Sequence, residues 1–134
     1  MSAGPIARWR LNLLRLGYLI LAVGQAAMTW PELLGPRAPG DLPWTLVQSQ
    51  LAAIGVCAAI GVLRPLQMLP VMLVEVGWKA IWISTIAQPA WANGTMDAKT
   101  LGVLKDCLPI IPFMLLIPWD QVWRMLAPAR ADPA

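Results

Sequence analysis

The amino-acid sequence predicts an all-α integral membrane protein, a four-helix bundle of up-down-up-down topology with both termini cytoplasmic. Three observations carry that reading. Four apolar stretches, about 11–30, 44–63, 66–87 and 98–124, are each long enough to cross a bilayer. Only 13% of the 134 residues are charged against 58% hydrophobic, with a mean hydropathy of +0.62. Soluble domains carry about a quarter charged residues. Finally, 8 Trp stand against 1 Phe and 1 Tyr, a skew that suits indoles anchored at the headgroup level. The whole of 1–134 reads as one transmembrane domain with short loops.

The first stretch follows Arg8 and Arg10 and is stopped by Trp30-Pro31. A basic flank before an apolar run also describes a signal peptide, with Gly24-Gln25-Ala26 as a poor cleavage site. Arg15 interrupts the run and nothing downstream resembles a secreted domain, so an uncleaved first helix is the better reading. Pro31–Pro43, with Gly35, Pro36, Pro39 and Gly40, is a turn-rich loop. The second stretch carries Ala53, Cys57 and Gly61 at four-residue spacing, with Gly55 and Ala59 alongside. Such small residues admit a close neighbouring helix. Arg64-Pro65 makes a very short hairpin into the third stretch, where Pro70 falls in the first turns. Gln88–Met96 reads as a second loop, and Asp97 as the N-cap of a fourth helix continuing past Trp123. Residues 127–134 read as a flexible tail.

Orientation follows from the basic residues in short loops. Arg8, Arg10, Arg64, Arg124 and Arg130 fall on one side, Arg37 and Lys99 on the other, which places both termini and the Arg64 turn in the cytoplasm. Trp9, Trp119 and Trp123 then mark the inner interface, and Trp30, Trp44 and Trp91 the outer one.

Composition also excludes. A net charge of +3 without a basic run beyond Arg8, Arg10 and Arg15 gives no nucleic-acid surface. The chain has no His, which removes imidazole-ligated haem or zinc. Cys57 and Cys107 lie in apolar segments and read as ordinary buried residues rather than a disulfide. No cofactor or metal is expected.

The polar groups within the apolar stretches are the candidate site. Glu75, Trp78, Lys79 and Trp82 follow an i, i+3, i+4, i+7 pattern and share one helical face. A charge at the bilayer centre costs roughly 2.5–3.5 kcal/mol on insertion scales, so Glu75 and Lys79 are expected to pair while facing protein. Counting depth at 1.5 Å per residue brings Asp106 close to the level of Lys79, together with Gln25, Gln48 and Gln50. The expected site is a small polar cavity in the outer half of the membrane, with Glu75, Lys79, Asp106, Trp78, Trp82, Gln25 and Gln50 as ligand-binding or proton-linked candidates. Pro109 and Pro112 each remove an amide donor, leaving the carbonyls of Lys105 and Leu108 without their helical partners. Arg15 is expected to snorkel to headgroups.

The layout, with Arg15-Leu16-Gly17 opening the first helix, Gly24 near its outer end, a Pro-rich loop and three tightly connected helices, resembles the DoxX-like small bacterial membrane proteins. The resemblance is architectural and covers most of the chain. It implies a four-helix protein of the bacterial inner (cytoplasmic) membrane, with quinone- or redox-linked roles claimed for some relatives, though no residue here establishes such a role. Small multidrug resistance transporters are similarly short, but their hallmark is a Glu in the first helix. Here that helix has no acid, and Glu75 sits beside a Lys that would compete with a cationic substrate.

Three readings of function follow. The first is a non-enzymatic accessory subunit or lipophilic small-molecule binder, in contact with membrane lipids and with a larger membrane complex or further copies of itself. The second is a proton-coupled transporter using Glu75 or Asp106. The third is a membrane enzyme acting on an apolar substrate by carboxylate acid-base chemistry.

Overall fold

The computed structural model describes residues 6–36 and 40–127. Arg37, Arg130 and all but the first residue of the predicted tail lie outside the described residues. Among these residues the chain is helical, with no strand. They fall into two compact units, one within Met1–Val71 and the other within Met72–Ala134.

The first unit is a pair of long helices, α1 (Arg8–Leu34) and α2 (Leu42–Leu63). Leu14, Gly17, Tyr18, Leu21, Gln25 and Thr29 bury one face of α1 at three- and four-residue steps. Helix α1 does not stop at Trp30-Pro31 but runs one turn further. A proline near a helix end forfeits a single backbone bond. The extra turn is closed by the Gly35 N–H, which donates to the Pro31 carbonyl at 2.9 Å. It is also tied to α2, because the Trp44 indole N–H donates to Glu32 Oε2 at 3.0 Å.

The face that α2 buries is Gln48, Ala52, Gly55, Ala58 and Gly61. The spacing Ala53-Cys57-Gly61 therefore shares only Gly61 with the observed contact, and Ala53 is exposed. Shape decides which stripe wins. The Tyr18 ring lies on Gly61, where an added Cβ would come 2.5 Å from Cδ1, and Gln25 lies on Gly55, where a Cβ would meet its Cβ at 2.8 Å. The Tyr18 hydroxyl then donates to the Pro65 carbonyl at 2.9 Å and anchors the ring. The link from α2 is longer than Arg64-Pro65 suggested: residues 65–68 form a turn and α3 begins at Leu69, with Pro70 in its first turn.

Helix α3 (Leu69–Trp82) begins at the end of the first unit and, in the second, continues through a π-helical turn (Ile83–Ala87) into α4 (Gln88–Ala92). Gln88–Ala92 is therefore helix, not loop. The Ser84 hydroxyl donates to the Ala80 and Ile81 carbonyls at 2.8 and 3.0 Å, and the Thr85 hydroxyl to Ile81 at 2.7 Å. Hydroxyls that compete for these carbonyls loosen the helix. The ladder widens so that the Gln88 N–H bonds Ile83. Pro89 then occupies a first-turn position, where its missing N–H is harmless. Gly94, at φ 66°, supplies the left-handed residue that ends the run.

Asp97 caps α5 (Ala98–Cys107) as expected, accepting the Thr100 N–H at 2.7 Å. The fourth stretch is not one helix. It breaks at Leu108-Pro109 before α6 (Ile110–Leu116), and again at Ile117-Pro118 before α7 (Trp119–Leu126). The Leu108 carbonyl, expected to lose its partner to Pro112, is taken by the Ile111 N–H at 3.1 Å. Three helical runs, Arg8–Leu34, Leu42–Leu63 and Leu69–Ala92, are long and apolar enough to cross a membrane. Ala98–Leu116 with Trp119–Leu126 passes the same test only as a pair bent by 78°.

Two outcomes follow. Gly61→Ala places a methyl against a ring already anchored by its hydroxyl, and overpacking of this kind costs about 1–3 kcal/mol. Denaturant titration in detergent micelles should show that loss, and Ala59→Gly, on an exposed position of the same helix, should cost less. The hydrogen bond from Thr100 holds the Asp97 carboxyl below its ordinary pKa. Its cap is therefore complete above the unfolded value and is lost as pH falls through the depressed one. Amide exchange at Thr100, corrected for intrinsic rate, should accelerate on acidification through that range and be fast at all pH in Asp97→Ala.

Candidate functional site

The site is built on α3 from residues one helical turn apart. Glu75 is completely buried, the one buried acid among the described residues. Its Oε1 meets the Lys79 Nζ at 2.5 Å, and its Oε2 accepts the Trp78 indole N–H at 2.8 Å. The same ammonium stands 5.3 Å from the Trp78 ring centroid, within the range of a cation–π contact. The indole thus serves both ions, its N–H edge facing the carboxylate and its π face the cation. Lys79 keeps 13% of its side chain exposed and Glu75 1%.

Local geometry explains the arrangement. Positions i, i+3 and i+4 lie on one helix face with Cβ atoms about 5–6 Å apart, so the cluster needs no tertiary contact to assemble. Burial sets its energy. An ionised carboxylate in apolar surroundings is tolerable only when paired and hydrogen-bonded. Here Oε2 is hydrogen-bonded by Trp78, Oε1 has the Lys79 ion pair but no hydrogen bond, and the pair carries no net charge. Chemically, this is a closed salt bridge: the carboxylate offers no free oxygen to a substrate unless Lys79 or Trp78 withdraws.

The other expected members are distributed differently. Trp82 is half-buried further along α3. Asp106, on α5, is exposed, and Lys79 pairs with Glu75. Of Asp106 and its neighbour Cys107, the cysteine is the buried one. The sequence treated Cys107 as ordinary core. Its position one residue from Asp106 was the available signal. Asp106 and Cys107 point to different sides of α5, and the cysteine takes the inward one.

Gln25, Gln48 and Gln50 belong to the first unit. Gln25 packs on Gly55, and its backbone carbonyl accepts the buried Thr29 hydroxyl at 2.7 Å. Gln50 is exposed, and its neighbour Gln48 is the buried glutamine of α2, with Oε1 lacking a hydrogen-bond partner. Two residues along a helix is a rotation of about 200°, so only one of the two can face α1. Among the described residues no group of three or more Cys, Asp or Glu could hold a metal ion.

The cluster makes a sharp expectation. Removing one partner of a buried pair strands a charge and costs about 3–5 kcal/mol, whereas replacing both with apolar residues of similar size is often neutral. Glu75→Met and Lys79→Met should each lower unfolding stability strongly in detergent, while the double variant should recover most of the loss. Additive losses would show that the two residues do not act as a pair.

Comparison with protein-family models, with curated proteins and with solved structures returned no match.

Proposed function

We propose that this chain is a small, non-enzymatic multi-pass protein of a bacterial inner membrane that works as an accessory subunit of a larger membrane assembly. The reading includes four spans with up-down-up-down topology and both termini cytoplasmic, the fourth crossing lying in the stretch that opens with α5. The distribution of Arg and Lys supports that orientation. The layout shared with the DoxX-like proteins is compatible with it.

The observation that carries the proposal is the closed Glu75–Lys79–Trp78 cluster. A general acid or proton carrier must exchange its proton with a substrate or with water. Glu75 is completely buried, its Oε2 hydrogen-bonded by Trp78 and its Oε1 ion-paired with Lys79 of the same helix but without a hydrogen bond. As a neutral lock it fixes the rotation of α3, a recognised use of buried polar pairs. The outer surface supports the partner half of the proposal. In each of the three long spans less than a third of the most apolar window is buried. Leu19, Ile20 and Val23 of α1, and Val56 and Ile60 of α2, are free to meet lipid or neighbouring helices.

A second reading draws on a separate feature. The helix break after Cys107 sits beside exposed Asp106, and broken helices beside an acid recur in transporters. In that case Asp106, rather than Glu75, is the proton-carrying group.

Native mass spectrometry from a mild detergent separates these. An accessory subunit should leave the membrane bound to other chains, in species well above 14.6 kDa. A lone monomer, together with substrate-driven proton movement in vesicles abolished by Asp106→Asn, would replace the subunit reading with the transporter.

A further inference from the structure

We propose that α7 lies in the plane of the membrane, bound to the boundary between lipid headgroups and acyl chains, and forms an in-plane anchor for the fourth stretch. The inference concerns α7 alone and goes beyond the assembly role.

The corner that creates α7 is closed by a side chain in place of a backbone bond. Pro118 has no N–H for the Met114 carbonyl four residues earlier. The Trp119 indole N–H takes that carbonyl instead, at 2.9 Å. The chain then turns by 78° from Ala98–Leu116 into α7. If the preceding run crosses the bilayer, a helix at that angle travels along its surface rather than through it.

The sequence of α7 fits that path. At 100° per residue Asp120, Gln121 and Arg124 fall on one arc, and Trp119, Val122, Trp123, Met125 and Leu126 on the opposite one. Val122 is buried and seats the helix on the protein. To one side of it Leu126, Trp119 and Trp123 remain 65%, 48% and 75% exposed. Two indoles and a leucine beside an acid, an amide and a guanidinium are the composition of an interfacial helix. The acid and the base offset each other, so apolar burial and not charge is the attraction. The occupant of this face is therefore the bilayer that the rest of the chain already enters, and continuity of the chain delivers α7 to its surface.

The test uses the full chain in phosphatidylcholine vesicles whose acyl chains carry bromine either near the carbonyl end or near the methyl end. Subtracting the quenching of Trp123→Phe or Trp119→Phe from that of the unaltered protein isolates each indole. Trp119→Phe also removes the Met114 cap, so Leu126→Trp, at an exposed position with room for the ring, supplies an independent depth. For an in-plane helix the shallow bromines should quench all three about twofold more than the deep ones, with no trend along the helix. A steady change in depth from 119 to 126, about 10 Å for a helix running along the membrane normal, would overturn the proposal. So would indifference to bromine at either depth, which would mean that water or a protein covers this face.

Discussion

The structure depends on how one charge is kept inside an apolar chain. Glu75 is completely buried, and an isolated carboxylate there is prohibitive. Lys79 supplies the opposite charge and Trp78 the remaining donor, so that the cluster presents no net charge. Because all three sit on one helix turn, neutralisation is complete before any packing occurs. Helix α3 can then be treated by its surroundings as an apolar rod, although the run that contains it carries both Glu75 and Lys79.

That economy bears on function. A carboxylate held by two partners on its own helix resembles a fastening more than a reagent. Asp106, which is exposed, does not complete the cluster. Among the polar groups left exposed are Arg8, Asn12 and Arg15 of α1, Lys105 and Asp106 of α5 and Asp120 and Arg124 of α7. Chemistry at the cluster would require it to open.

The first unit shows a different principle, close approach through small residues. Gly61 and Gly55 leave room for a phenol ring and a glutamine stem from α1. The Tyr18 hydroxyl finds the Pro65 carbonyl beyond the end of α2, where the helix has stopped using it. One side chain thereby satisfies its own polar end and fixes the spacing of two helices. Prolines punctuate the rest. Pro31 is absorbed in a last turn and Pro89 follows a π turn, Pro109 interrupts the helical bonding without turning the chain sharply, and at Pro118 the chain bends by 78°.

Much of the helical content was legible in the sequence, because apolar length and helical periodicity are local properties. The Glu75–Lys79 pair and the Asp97 cap were legible for the same reason, each depending on residues no more than four apart. Which stripe of α2 is buried could not be read this way. Ala53-Cys57-Gly61 and Gln48-Ala52-Gly55-Ala58-Gly61 are both small-residue faces, and only the bulk of Tyr18 and Gln25 on the opposing helix selects between them. The choice of Gln48 over Gln50, and of Cys107 over Asp106, follows from such rotations. Proline positions were visible, but their outcomes were not: whether a missing N–H ends a helix depends on what else reaches the orphaned carbonyl. Local pattern thus determined where helices form and which charges pair. Tertiary structure decided which faces meet and where the chain turns, because those depend on shapes brought together from distant parts of the sequence.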